Sequence, residues 1–165
     1  MNKFTIAERA DTKEYDESLP VLYKIHIGNK FYLHKGKNLS ESLNRLLDDV
    51  FRGIRGKQCP PEYLNFVSYC KKYPAVHRVM PEIVLNAPPA KILALEDKMW
   101  KQMKNDESCL NALDIAPYKP EWMLREVMQK RCNEDDGGCL HALRGSDDKM
   151  HKFKFCPNCG RLNKK

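Results

Sequence analysis

Four cysteines, Cys132, Cys139, Cys156 and Cys159, fall within the last 34 residues of the chain, and their spacing suits a metal ion. In Cys156-Pro157-Asn158-Cys159-Gly160 the two-residue gap lets both sulfurs approach one ion, and Gly160 permits the tight turn. Cys132 and Cys139 supply a second pair, with Gly137 and Gly138 freeing the loop between them to fold back. Zinc takes four such ligands in a tetrahedron, each sulfur at about 2.3 Å. The gap between Cys132 and Cys139 is longer than zinc sites usually show, and His141 or His151 is the nearest replacement for one thiolate. Four thiolates leave no open coordination position, so the expected zinc is structural. Its binding would fold a tail with too few apolar residues to fold unaided. Cys59, Cys70 and Cys109 are scattered among apolar residues and read as small core side chains. An odd total of seven cysteines, with no apolar leader at the start of the chain, argues for reduced thiols.

A second group that could do chemistry is spread more widely: Tyr23, Tyr32 and Glu96, with basic residues Lys35, Lys37, Arg45, Arg52 and Arg55 between them. The elements that must position this group are legible. Residues 19–27 and 31–34 are rich in β-branched, aromatic and aliphatic side chains, and Gly28 and Asn29 between them accept the positive φ of a two-residue hairpin turn. Asn38 or Ser40 can cap a helix whose Leu39, Leu43, Leu46, Leu47, Val50 and Phe51 form one apolar face. Gly53 and Gly56 end it. Pro60 and Pro61 open a second helix, with Leu64, Val67, Tyr63 and Cys70 facing inward. Residues 76–85, with Pro81 inside, read as an irregular or edge strand. Pro88 and Pro89 start a third helix with Ile92, Leu95, Met99 and Met103 on one stripe, and Pro120 introduces a fourth that leads into the cysteine cluster. The first 18 residues read as a polar arm with a short strand at 4–7. The expected fold is α+β: a small antiparallel sheet of hairpin plus third strand, flanked by helices, with a C-terminal zinc-binding finger. The expected divisions are an arm at 1–18, a domain at 19–118, and a helix with the zinc element at 119–165.

The hairpin and the helices after it resemble the GIY-YIG endonuclease family. Val21-Leu22-Tyr23 stands where that family has its first tripeptide and Tyr32-Leu33-His34 where it has the second. Lys35-Gly36-Lys37-Asn38-Leu39 is similar to the family's loop into its first helix, and Glu96 sits where the family places a metal-binding glutamate. The resemblance covers about half the chain and lies in order and spacing more than in letters. It implies that Tyr23 helps activate water, that Tyr32 supports it, and that Glu96 holds one Mg²⁺ beside the scissile phosphate. Those roles suit the chemistry, since a hard cation prefers carboxylate oxygen and phosphoryl transfer needs positive charge near the non-bridging oxygens. It also implies that the three side chains meet at one pocket.

The departures point the other way. The family's first-helix arginine falls on Ser42, the glycine of the second tripeptide is His34, and Val21 replaces that of the first. Losing one such charged stabiliser commonly costs about 10²- to 10³-fold in rate. Arg45, nearly one helical turn further on, is the candidate substitute. Taken without the resemblance, Tyr23 and Tyr32 are aromatics on strands and read as core packing.

Twenty-nine basic against 22 acidic residues give a net charge of +7, concentrated between Lys30 and Lys57 and after Asp148. Two basic tracts suit a polyanion such as nucleic acid, or else simply keep a surface soluble. No apolar run is long enough to cross a membrane. The expectation is therefore a zinc-stabilised, nuclease-derived binding or assembly module with impaired catalysis, contacting nucleic acid or neighbouring proteins of a larger particle. The resemblance suggests a phage or mobile-element origin and a place in the host cytoplasm or the virion. The alternative is a working Mg²⁺-dependent endonuclease.

Overall fold

The computed structural model describes residues 4–134, 142–144 and 150–152. The chain divides into two compact units, Met1–Tyr118 and Lys119–Lys165. The first holds a four-stranded mixed sheet in the order β1-β4-β2-β3, built from β1 (Thr5–Ile6), β2 (Val21–Ile27), β3 (Lys30–Gly36) and β4 (Arg78–Asn86). β2 pairs antiparallel with both β3 and β4, while β1 runs parallel to β4 and makes the sheet mixed. The β2–β3 turn is the expected one, with Gly28 at φ +57°.

Alternation along the strands sorts the sheet into two faces. Val21, Tyr23, Ile25 and Ile27 of β2 and Tyr32 of β3 lie on one face, in a cluster with Leu43, Leu46 and Val50 of α1 (Leu39–Ile54) and Phe66, Val67 and Cys70 of α2 (Leu64–Lys72). α1 starts where the sequence predicts, with the Asn38 side chain accepting from the Glu41 N–H. Leu22, Leu33 and Lys35 alternate to the other face, the layer of α3 (Pro89–Gln102), whose Ile92, Leu93 and Glu96 are buried.

Of the two alternatives expected from Pro81, an irregular or an edge strand, β4 is not at the edge: it is interior, paired with β1 and β2, and its pairing with β2 carries a register shift. The carbonyls of His77, Val79 and Pro81 point away from β2 and accept from Thr5, Ala7 and Ala10 of the N-terminal segment. A proline there lacks an N–H only on the β1 side, so it removes no bond from the β2–β4 ladder; the irregularity in that ladder lies elsewhere, between Leu22 and Tyr23. Beyond Ala10 side chains take over the edge. Asp11 accepts from the Ile83 N–H at 2.7 Å, and Lys13 Nζ donates to the carbonyls of Ile83 and Val84. Asn86 exchanges hydrogen bonds with Asp16 and donates to the carbonyls of Leu19 and Pro20. Within the described residues, the segment from Thr5 to Asp16 is thus strapped along β4.

The second unit holds α4 (Glu121–Glu134) and an antiparallel pair, β5 (Ala142–Arg144) and β6 (Met150–Lys152). No helix among the described residues is long and apolar enough to cross a membrane.

Candidate functional site

β-Sheet register decides which candidate residues meet. Tyr23 lies opposite His34 and Ile25 opposite Tyr32, so both tyrosines and His34 share the face beneath α1 and α2. Tyr23 is fully buried, with its hydroxyl 2.9 Å from Ser42 Oγ. Ser42 donates its single proton to the Asn38 carbonyl at 2.6 Å, which leaves the Tyr23 O–H as the donor to Ser42. Burial pushes the Tyr23 phenol well above its ordinary value. Tyr32 is also buried, donates to the Glu62 carbonyl at 3.4 Å, and is raised by burial and then by Tyr63 beside it.

His34 completes the cluster. Its ring lies 5.7 Å from Tyr23, 6.2 Å from Tyr32 and 6.1 Å from Tyr63. Burial, followed by the charge of Lys35, lowers its pKa to about 3. At neutral pH the cluster is therefore neutral throughout, with both phenols protonated. Neither tyrosine can serve as a proton acceptor for an attacking water in this state.

Glu96 stands in the other layer. It is 2% exposed, and both its carboxylate oxygens accept from Lys35 Nζ, at 2.6 and 2.7 Å. Lys35 alternates with His34 and so departs from β3 on the face away from the tyrosines. The single pocket that the GIY-YIG resemblance implies does not form: the phenols pack under α1 and α2, while the carboxylate is tied to a lysine beneath α3. A Mg²⁺ ion at Glu96 would have to displace that ammonium.

The basic candidates separate in the same way. Lys35, expected on a phosphate track, is 8% exposed and holds Glu96 instead. Lys37, Arg45, Arg52 and Arg55 are exposed. On α1, however, acids interleave with the arginines. Arg52 lies 3.6 Å from Asp49, and a surface depression is lined by Arg45, Asp48, Asp49, Phe51 and Arg52. Arg55 lies over the Phe51 ring. The Arg45 guanidinium acts on Tyr63, where it opposes the upward push of burial on that phenol. Ser42, not Arg45, meets Tyr23.

Two features escaped sequence reasoning. His26, which has no evident partner along the chain, places Nε2 2.6 Å from Glu82 across the sheet. A reading of α3 for its apolar stripe also passes over its opposite face, where Lys91, Lys98 and Lys101 are exposed. Helical spacing of those three lysines was the available signal.

Of the proposed zinc ligands, Cys139, Cys156 and Cys159 lie outside the described residues, and Cys132 is placed only by its backbone, near the end of α4. Cys70 is buried in the core and its thiol is pushed up to about 12, as packing without metal chemistry requires. Comparison with protein-family models, curated proteins and solved structures finds no match to this chain.

Proposed function

We propose that this chain is a nuclease-derived module that binds nucleic acid without cutting it, with the tail held by a structural zinc at Cys132, Cys139, Cys156 and Cys159. One observation carries the loss of cutting: the two tyrosines are buried, protonated phenols, and Glu96 is neutralised by Lys35 in a different layer. A metal-assisted hydrolase needs an open carboxylate and a proton acceptor beside the same phosphate. The hairpin that sets Tyr23 and Tyr32 on one face supports the ancestry. The net charge of +7 supports a polyanionic partner. The test is an electrophoretic shift of a labelled duplex in Mg²⁺: retarded but intact duplex is expected. A cut product contradicts the loss of catalysis. Absence of a shift at low salt contradicts the nucleic-acid partner and favours a protein adaptor.

A further inference from the structure

We infer that the outward face of α3 is the surface that meets nucleic acid, and that it takes the phosphate backbone of a duplex without reading its bases. This deepens the binding role proposed above and rests on it.

Lys91, Lys98 and Lys101 are exposed and recur at steps of seven and three, so they fall within one arc of the helix surface. Ala94, the position between them on that arc, is small and exposed, as is Ala90 beside the arc at the helix start, so no bulk holds a phosphate away. Lys104 extends the charge into the 3₁₀ turn Met103–Asn105 that follows. No carboxylate pairs with any of these four lysines among the described residues. The acids of α3 lie elsewhere: Glu96 is buried on Lys35, and Asp97 is half-buried at the margin of the arc.

The contrast with α1 makes the assignment specific. Arg45 and Arg52 share their face with Asp48 and Asp49, which repel the same phosphates the arginines attract, and Arg55 lies over the Phe51 ring. The α3 stripe spans about 15 Å at 1.5 Å per residue, a length over which duplex DNA presents about nine charges at one per 1.7 Å. Lysine ammoniums are compact point charges, and contacts of this kind to phosphate fix a backbone in place without carrying sequence information. The arc has no aromatic ring on which an unpaired base could stack, which favours duplex over single strand. The nearest ring, Trp100, is half-buried and donates to the Ile115 carbonyl.

The experiment measures anisotropy of a labelled duplex of about 20 base pairs against salt, for the full chain and three variants. Replacing Lys91, Lys98 and Lys101 together by Gln is expected to flatten the log–log salt slope by about 2.7, at about 0.9 per lost phosphate contact. Replacing the same three by Arg should keep the slope, and replacing Arg45, Arg52 and Arg55 by Gln should change it by less than about 1. A wild-type slope that survives the lysine-to-Gln change, or that collapses with the α1 change, overturns the assignment to α3 and leaves the binding role intact. Absence of any salt-dependent binding by the wild type overturns both.

Discussion

The Tyr23 hydroxyl donates to Ser42 Oγ at 2.9 Å, at the helix position where the resembled nucleases carry arginine. Because Ser42 commits its own proton to the Asn38 carbonyl, the phenol's proton has a fixed recipient and the pair reads as a structural tie between β2 and α1. Space around it is tight. A Cβ added at Gly36 would lie 2.3 Å from the Ser42 Cβ. A larger side chain at position 42 therefore meets backbone and a buried ring, and Ser42→Arg is expected to lose stability and to gain no cutting, as read by urea midpoint and plasmid nicking.

Glu96 should matter to stability. Removing one partner of a buried ion pair strands the other charge, so Glu96→Ala is expected to cost about 3–5 kcal/mol in urea unfolding. The double change Lys35→Met with Glu96→Leu should recover most of that loss, because it leaves no buried charge behind. If Glu96→Ala unfolds at the wild-type midpoint, the pair is not the internal contact described.

The strap over β4 depends on a carboxylate. Asp11 is held below its ordinary value by the N–H groups of Ile83 and Lys13 and by nearby Arg9 and Lys13, which outweigh the opposing effect of burial. A lowered carboxylate stabilises the fold above the unfolded-state value near 3.8, and that contribution fades as pH falls through the lower folded value. Asp11→Ala should cost about 1–3 kcal/mol. In hydrogen exchange it should expose the Ile83 amide more than the amide of Leu46 in α1. Equal protection of Ile83 in both proteins would contradict the strap.

His34 sets a second pH dependence. Its folded pKa of about 3 lies below the ordinary 6.5, so the unfolded chain takes up a proton first as pH falls. Stability is complete above 6.5 and should decline between that value and about 3, by up to about 1.4 kcal/mol per pH unit and less because the residue keeps some exposure to solvent. Urea midpoints against pH should show a shallower decline for His34→Phe. Parallel curves for the two proteins would mean that His34 does not titrate across this window.

Zinc should bind once per chain. Metal analysis of the purified protein is expected to give one zinc, lost when Cys156 and Cys159 are changed to Ser, while near-ultraviolet signals from Tyr23, Tyr32 and Tyr63 persist. A full zinc load in that double variant would remove the cysteine assignment.

Local sequence rules were enough for the elements. The Gly28 and Asn29 turn, the Asn38 cap, and the proline pairs ahead of α2 and α3 each act within a few residues. What they could not reveal was set by partners far along the chain. Pro81 reads as an edge residue because Ala10, which covers it, lies 71 positions earlier. Lys35 reads as a surface lysine until Glu96, 61 residues on, draws it inward. The candidate site was read as one pocket because spacing gives order along the chain, whereas strand alternation decides the face. One residue of phase between His34 and Lys35 was enough to separate the phenols from the carboxylate.

The most direct measurement is nicking of supercoiled plasmid by the purified chain in a series of Mg²⁺ and Mn²⁺ concentrations, beside Tyr23→Phe. Both proteins are expected to leave the plasmid supercoiled under every condition. Open circles that appear with the wild-type chain and metal, and disappear with Tyr23→Phe, would show that Tyr23 still acts on water and would contradict the loss of catalysis.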